Sequence, residues 1–241
     1  MEAYRLSVVI LAVDETYSLR NTFNKLAAAD AACEYLFMLS RNCTPACLAV
    51  VEDICKRPDC RYIIQSGDGL GYAIREAIQA VRGTHIVIWT GDGGGADPAV
   101  FPEMVRLSHK YSEKIISTSR WLQKGSFHGY NPIRKVVNFL SQKMFSALFK
   151  SDLTDFTNII QIAPITAYRG IKLQENGFTI IPELQFKLVK LGRQFLEIPC
   201  IDNTRQEGRS HAPFRELADY YRVILKIHCM DMSDIIADAQ S

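Results

Sequence analysis

The feature that most constrains this chain is a repeated pattern. Short, continuous apolar runs rich in β-branched residues are each followed by a polar segment and then by a helical pattern. Ser7–Val13 has no polar alternation after Ser7, so it reads as a strand buried on both faces. Leu19, Phe23 and Leu26 then recur at helical spacing. The cycle repeats as strand Tyr35–Leu39, helix Ala46–Cys55 and strand Arg61–Ile64. Next come a helix with Leu70, Ile74, Ala77, Ile78 and Val81 on one face, and the strand His85–Trp89. Asp97-Pro98 opens another helix, because Asp suits the N-cap and Pro the first helical position. Ile115–Thr118 reads as a further strand. This βαβαβαβ order predicts an α/β fold with a mostly parallel sheet and helices on both faces.

After Arg120 the pattern loosens. Gln123–Pro132 reads as a mobile loop, Ile133–Phe149 as a long helix, and Asn158–Ala163 and Phe195–Pro199 as strands. Pro182–Leu191 and Phe214–Ile227 read as helices, with the polar loop Asn203–Pro213 between Pro199 and the last of them. The long helix carries Ile133, Val137, Leu140, Met144, Leu148 and Phe149 beside Arg134, Lys135, Lys143 and Lys150. That face could lie on an anionic membrane or pack in the core, and the core is the expected site. No repeat or linker interrupts the chain. One domain is expected over residues 1–241: a nucleotide-sugar half (1–120), an acceptor half (121–212) and a helical tail (213–241).

The net charge of +2 is too small to suggest nucleic acid as a partner. No signal peptide is expected, since the Leu6–Val13 run is strand-length, and no apolar stretch reaches membrane-spanning length. The seven cysteines include no Cys-x-x-Cys, which argues for reduced thiols in a cytoplasmic protein, at most peripheral to a membrane.

Ligands of open parallel sheets bind beyond the carboxyl ends of the strands. Ala12–Glu15, Ser40–Asn42, Ser66–Gly71 and Thr90–Asp97 all sit at such ends. Asp92, between glycines, could hold a divalent cation with a diphosphate, or could be an ordinary turn residue. Asp97 is better explained as a cap. Gly69-Leu70-Gly71 lacks the third glycine of a dinucleotide fingerprint, with Ile74 in its place, so a dehydrogenase is disfavoured.

Six segments, in order, resemble the family 2 glycosyltransferases of GT-A (nucleotide-diphospho-sugar transferase, Rossmann-like) fold, especially the dolichyl- or polyprenyl-phosphate sugar synthase branch. They are Ser7–Glu15, Gly69–Arg75, Trp89–Pro98, Ser119-Arg120, Asp155-Phe156-Thr157-Asn158 and Arg205-x-x-Gly208-x-Ser210. The resemblance implies an inverting transfer from a nucleotide-diphosphate sugar. It places Ala12, Val13, Asp14, Glu15, Ser40, Gly69, Gly71, Thr90, Gly91, Asp92 and Arg205 at the donor. Asp92 would be the ligand of Mg²⁺ or Mn²⁺. Arg120, Arg134, Asn138 and Ser210 would meet the acceptor, a lipid phosphate or a saccharide. Asp155 is the candidate base should the acceptor be a hydroxyl, with a structural loop carboxylate as the alternative. The sequence departs from the family pattern in five places: Thr90 replaces the first Asp of Asp-x-Asp, one residue is inserted between Asp92 and Asp97, Leu39-Ser40 stands where a base-reading Asp is usual, Leu11 replaces a Pro and Val13 a Tyr. Thr90 and Ser40 suggest a second reading, a sugar-nucleotide-binding protein with weak or no catalysis, and a transferase acting on a soluble hydroxyl acceptor is a further alternative. A nucleotidyltransferase ranks lower, because Ala12–Glu15 has neither glycine nor positive charge.

Overall fold

The computed structural model describes residues 3–124, 126–127, 131–207 and 216–237, the side chains of 134, 216 and 217 excepted. The apolar runs become strands because only a position with helices on both faces removes them wholly from water. In order, the elements are β1 (Leu6–Ala12), α1 (Tyr17–Ala27), β2 (Ala32–Leu39), α2 (Pro45–Ile54), β3 (Cys60–Ile64), α3 (Leu70–Ala80) and β4 (His85–Thr90). Then follow β5 (Gly95–Ala96), α4 (Phe101–Lys110), β6 (Ile115–Ser119), α5 (Pro132–Phe149), β7 (Gln161–Pro164), α6 (Ile165–Arg169) and α7 (Ile180–Lys190). The last are β8 (Phe195–Pro199), β9 (Asp202–Asn203), α8 (Glu216–Cys229) and α9 (Met232–Ile235).

Seven strands form one sheet in the order β3-β2-β1-β4-β7-β6-β8. The pairs β1–β2, β1–β4, β2–β3 and β6–β8 are parallel. This is the single, mostly parallel α/β domain the periodicity predicts. β7 is the exception, running antiparallel between β4 and β6. Asn158–Ala163 was expected as a strand, and it forms at Gln161–Pro164. Its direction has no local signature, because it is set by how the long excursion through α5 re-enters the sheet. Strand order reverses on either side of β1, which places a crevice beyond the carboxyl ends of β1 and β4.

Alternate residues of β1 feed two cores. Val8 and Ile10 pack with Leu19, Phe23 and Phe101 on one face. Val9 packs with Ile74, Ile78 and Leu184 on the other. Asp97 caps as predicted: its Oδ1 accepts from Ala99 N at 2.9 Å, and a short 3₁₀ turn at Pro98–Val100 leads into α4. The polar segment after β8 contributes β9, which pairs antiparallel with β5 and fastens it next to the end of β4.

α5 departs from expectation. Phe145 is buried with Phe156 and Phe186, and Gln142 is also buried, but Ile133 is 75% exposed and Leu140 61%. Val136, Val137, Phe139 and Met144 are exposed too. The stripe from Ile133 to Met144 therefore faces solvent rather than the core, while Phe149 at its end packs against Phe186. A small satellite cluster with α7 and α8 holds the opposite side of the helix, and no element covers the stripe among the described residues. No helix among those residues is long and apolar enough to cross a membrane.

Candidate active site

The crevice is built by backbone hydrogen bonds between loops. Ser40 N donates to Ala12 O at 3.0 Å, Thr44 N to Val13 O at 3.0 Å, and Gly91 N to Leu11 O at 2.8 Å. The ends of β1, β2 and β4 are thus one surface, and Ala12, Val13, Asp14, Ser40, Thr90 and Asp92 come together there. Asp14 is exposed and Ser40 half-buried. Thr90 Oγ1 donates to Gly94 O at 3.3 Å.

Four residues expected at the donor are engaged by their own surroundings instead. Glu15 is buried, and its Oε2 accepts from Val13 N at 2.6 Å and Asp14 N at 3.1 Å. Its carboxylate shapes the loop instead of reaching outward to a ribose. Gly91 faces inward: a Cβ there would lie 2.7 Å from Leu19 Cδ1. Gly69 and Gly71 make room for a neighbouring chain segment rather than for a nucleotide. A Cβ on Gly69 would lie 2.3 Å from Asn176 O, and one on Gly71 2.0 Å from Glu175 O. Gly69 also sits at φ +105, a conformation costly for any residue with a Cβ.

Asp92 is 6% exposed at the end of β4. Its Oδ1 accepts from Gly94 N at 2.9 Å, and its Oδ2 pairs with Arg205 Nε at 2.8 Å. Asp92 thus accepts an amide of its own turn with one oxygen and pairs with Arg205 through the other. Arg205 arrives because Gln206 N bonds Asp92 O at 2.9 Å. No cluster of three or more His, Cys, Asp or Glu forms among the described residues. Mg²⁺ is commonly held by one or two carboxylates with phosphate oxygens and water. Asp92 fits the one-carboxylate form, provided Arg205 releases Oδ2.

A second group forms at the end of β6. Arg120 Nε and Nη2 reach Asp155 Oδ2 and Oδ1 at 2.7 and 2.8 Å, and Nη2 also donates to Thr157 Oγ1 at 2.7 Å. Thr157 Oγ1 accepts from Gln142 Nε2 at 3.2 Å, and the same amide donates to Asn138 Oδ1 at 2.8 Å. Arg120, Asp155 and Asn138 are thereby joined through Thr157, from the motif beginning at Asp155, and Gln142, which the sequence did not single out. The side chain of Arg134 and all of Gly208, Ser210 and His211 lie outside the described residues.

The base role of Asp155 is corrected. Asp155 has no exposed surface. Burial opposes its charge, but the Arg120 guanidinium and the Arg120 and Thr157 amides prevail and hold its carboxyl below the usual range. A saturated, stabilised carboxylate with no path to solvent is poorly suited to take a proton. It serves as the anchor of Arg120. Glu197 on β8 supports it from behind, accepting from Thr154 N at 2.8 Å and Asp155 N at 3.0 Å. Burial pushes the Glu197 carboxyl up. Asp202 on β9, also missed, lies 3.9 Å from Arg120 Nη1, and burial raises its carboxyl as well. The signal for Asp202 was only its place three residues before Arg205; its approach to Arg120 depends on the β5–β9 pairing.

A sequence profile of glycosyl transferase family 2 matches residues 7–172. Among solved structures, the fold is similar to glucosyl-3-phosphoglycerate synthase from Mycobacterium tuberculosis. In its complex with Mn²⁺, uridine diphosphate and phosphoglyceric acid, the TM-score is 0.70 at 14% identity, covering 95% of this chain and 80% of that one. The complex with Mn²⁺, UDP-glucose and phosphoglyceric acid gives 0.69 at 14%, covering 95% and 81%. The complex with Mg²⁺ and uridine diphosphate gives 0.67 at 14%, covering 93% and 78%.

Proposed function

This chain belongs to glycosyl transferase family 2, and on that premise we propose that it moves a sugar, with inversion, from a nucleoside-diphosphate sugar to a polyprenyl phosphate at a membrane surface. The observation that carries the acceptor is α5. Its exposed stripe of Ile133, Val137, Leu140 and Met144 shares a helix with Asn138, which is linked through Gln142 and Thr157 to Arg120. Cations rim the stripe: Lys135 Nζ lies 4.7 Å from the Phe127 ring centre and Lys143 Nζ 5.6 Å from that of Phe139. An apolar face edged by lysines suits an anionic lipid interface. A phosphate acceptor is already ionised, so the unsuitability of Asp155 as a base is no obstacle.

On the donor side, Ala12, Val13, Asp14 and Ser40 would flank the nucleoside, and Arg205 would meet the diphosphate. Asp92 would hold Mg²⁺ or Mn²⁺, which when bound supplies positive charge to the leaving diphosphate. Arg120 would be held rigidly by Asp155 for the acceptor, since a planar guanidinium suits phosphate oxygens. Residues 1–120 would form the donor half and 121–212 the acceptor half.

A second reading, transfer to a hydroxyl of a soluble acceptor, is favoured by Asp202. It is a largely buried carboxylate with a raised pKa beside Arg120, which suits a general base. Two of the similar solved structures also hold phosphoglyceric acid.

One experiment separates the two. The full chain is incubated with Mn²⁺ and radiolabelled UDP-, GDP-, CDP- or dTDP-sugars. The acceptor is either polyprenyl phosphate in anionic vesicles or phosphoglycerate in solution. Label in the lipid phase from one nucleotide class, together with flotation of the protein on those vesicles, is the expected result. Label in phosphoglycerate with no flotation replaces this reading with the second.

A further inference from the structure

Glu207 enters neither the donor nor the acceptor reading, yet its contacts place it at the centre of the donor site's wiring. α1 begins at Tyr17, and Thr16 before it makes no side-chain cap bond. The first N–H groups of a helix need an acceptor from elsewhere. Glu207 supplies it from 191 positions along the chain, with Oε2 2.9 Å from Thr16 N. The same oxygen accepts from Ser18 N and Ser18 Oγ, both at 2.8 Å, while Oε1 accepts from Thr16 Oγ1 at 3.1 Å. One residue earlier, Gln206 N bonds Asp92 O. The Gln206 side chain lies against Gly93, where a Cβ would come 2.9 Å from Gln206 Cδ. One residue earlier again, Arg205 pairs with Asp92 Oδ2. Three consecutive residues are thus fastened at three points across the end of β4.

We propose that Glu207 is the positioning residue for Arg205: its latch on the start of α1 holds the strap 205–207 in place while Arg205 turns from Asp92 to the donor diphosphate. The proposal rests on the donor reading given above. It adds what keeps Arg205 within reach once its partner Asp92 is engaged by a cation. An arginine carried on a fastened strap loses less freedom on binding than one on a free loop, and this raises donor affinity. The latch is also insensitive to pH near neutrality. Burial alone would raise the Glu207 carboxyl, but the bonds from Ser18 and Thr16 lower it to about 2. It therefore stays ionised well below pH 7.

The test uses the full chain with Glu207→Ala and Glu207→Gln and two separate readouts. The first is amide hydrogen exchange at Thr16, Ser18 and Gln206 without any nucleotide. The second is steady-state donor kinetics with Mn²⁺, alongside calorimetric binding of UDP, GDP, CDP and dTDP. In Glu207→Ala, exchange at all three amides is expected to accelerate about tenfold or more. Donor KM should rise about tenfold with kcat within about threefold, because a loosened strap mainly costs binding. Glu207→Gln keeps an acceptor oxygen, so it should fall between wild type and Ala in both readouts. Unchanged exchange at Gln206 in Glu207→Ala would remove the latch, and faster exchange with an unchanged donor KM would remove its link to Arg205. Failure of wild-type protein to bind any of the four nucleoside diphosphates would overturn the donor reading, and with it the role of Arg205. The exchange arm would still decide separately whether the latch exists.

Discussion

Replacing Asp92 with Asn is expected to lower sugar transfer by about a hundredfold or more while leaving the fold intact, a size typical of losing one charge-stabilising group at a reacting centre. The two halves of that outcome come from different atoms. Oδ1 accepts the Gly94 N–H, and the Asn carbonyl reproduces that bond, so the turn after β4 survives. Oδ2 carries the charge shared with Arg205, and an amide cannot supply it. The lost ion pair involves an arginine side chain that is 36% exposed, and partly exposed pairs contribute little to stability, about 1 kcal/mol or less. The variant should therefore melt close to wild type. In assays at saturating donor across a Mn²⁺ titration, the loss should not be recovered by more metal. Wild-type turnover in Asp92→Asn would remove Asp92 from the chemistry and leave it a turn residue.

The largest expected effect on stability is at Asp155. Truncation to Ala should destabilise the protein by about 3–5 kcal/mol, as for other buried pairs that lose one partner. The Arg120 side chain is 12% exposed and Asp155 is 0% exposed, so the guanidinium would be left with little water and without its main counter-charge. Asp202, at 3.9 Å from Nη1, is too distant to replace two short bonds. Urea denaturation at pH 7 measures the cost. Adding Arg120→Met to Asp155→Ala should recover part of it, because the unpaired charge is then gone. The pH dependence has a definite sign. The folded-state pKa of Asp155 lies below its unfolded value, so its contribution is present above about pH 4, the ordinary Asp value, and is lost as pH falls below that. The gap between wild type and Asp155→Ala should narrow between about pH 4 and pH 2 for the same reason. A gap that stays constant over that range, or one under about 1 kcal/mol at pH 7, would mean the pair is not what holds Arg120.

Much of the fold was legible because its signal is local. β1, β2, β3, β4, β6 and β8 lie within a few residues of the apolar runs that announce them. The cap at Asp97 also comes from a residue at the point of use. β7 was located only approximately and its direction not at all, since pairing orientation belongs to two neighbours far along the chain. α5 shows the limit of periodicity most clearly. Its apolar stripe was visible, but periodicity cannot say whether a stripe meets a core, and here it meets solvent. Lys187 shows the converse. It carries a charge four residues after Glu183 in α7, yet its side chain is wholly buried, with Nζ 2.7 Å from Glu183 Oε1.

The site divides along the same line. The sequence by itself determined which turns gather at the carboxyl edge of the parallel sheet, because each buried run is followed directly by a polar turn. It also determined that Asp92 stands at that edge with Thr90, not a second carboxylate, before it. Only the tertiary structure decided which polar groups remain available to a ligand. Glu15 turns onto its own loop, Gly69 and Gly71 yield to residues 175–176, and Asp155 is spent on Arg120. Asp92 is held by Arg205, and Arg205 in turn lies on a strap fastened by Glu207. The physical reason is range. Burial of apolar runs is encoded by neighbours a few residues apart, whereas a hydrogen bond or ion pair needs its two atoms within about 3 Å. Those atoms come from distant parts of the chain, and only the finished packing brings them together.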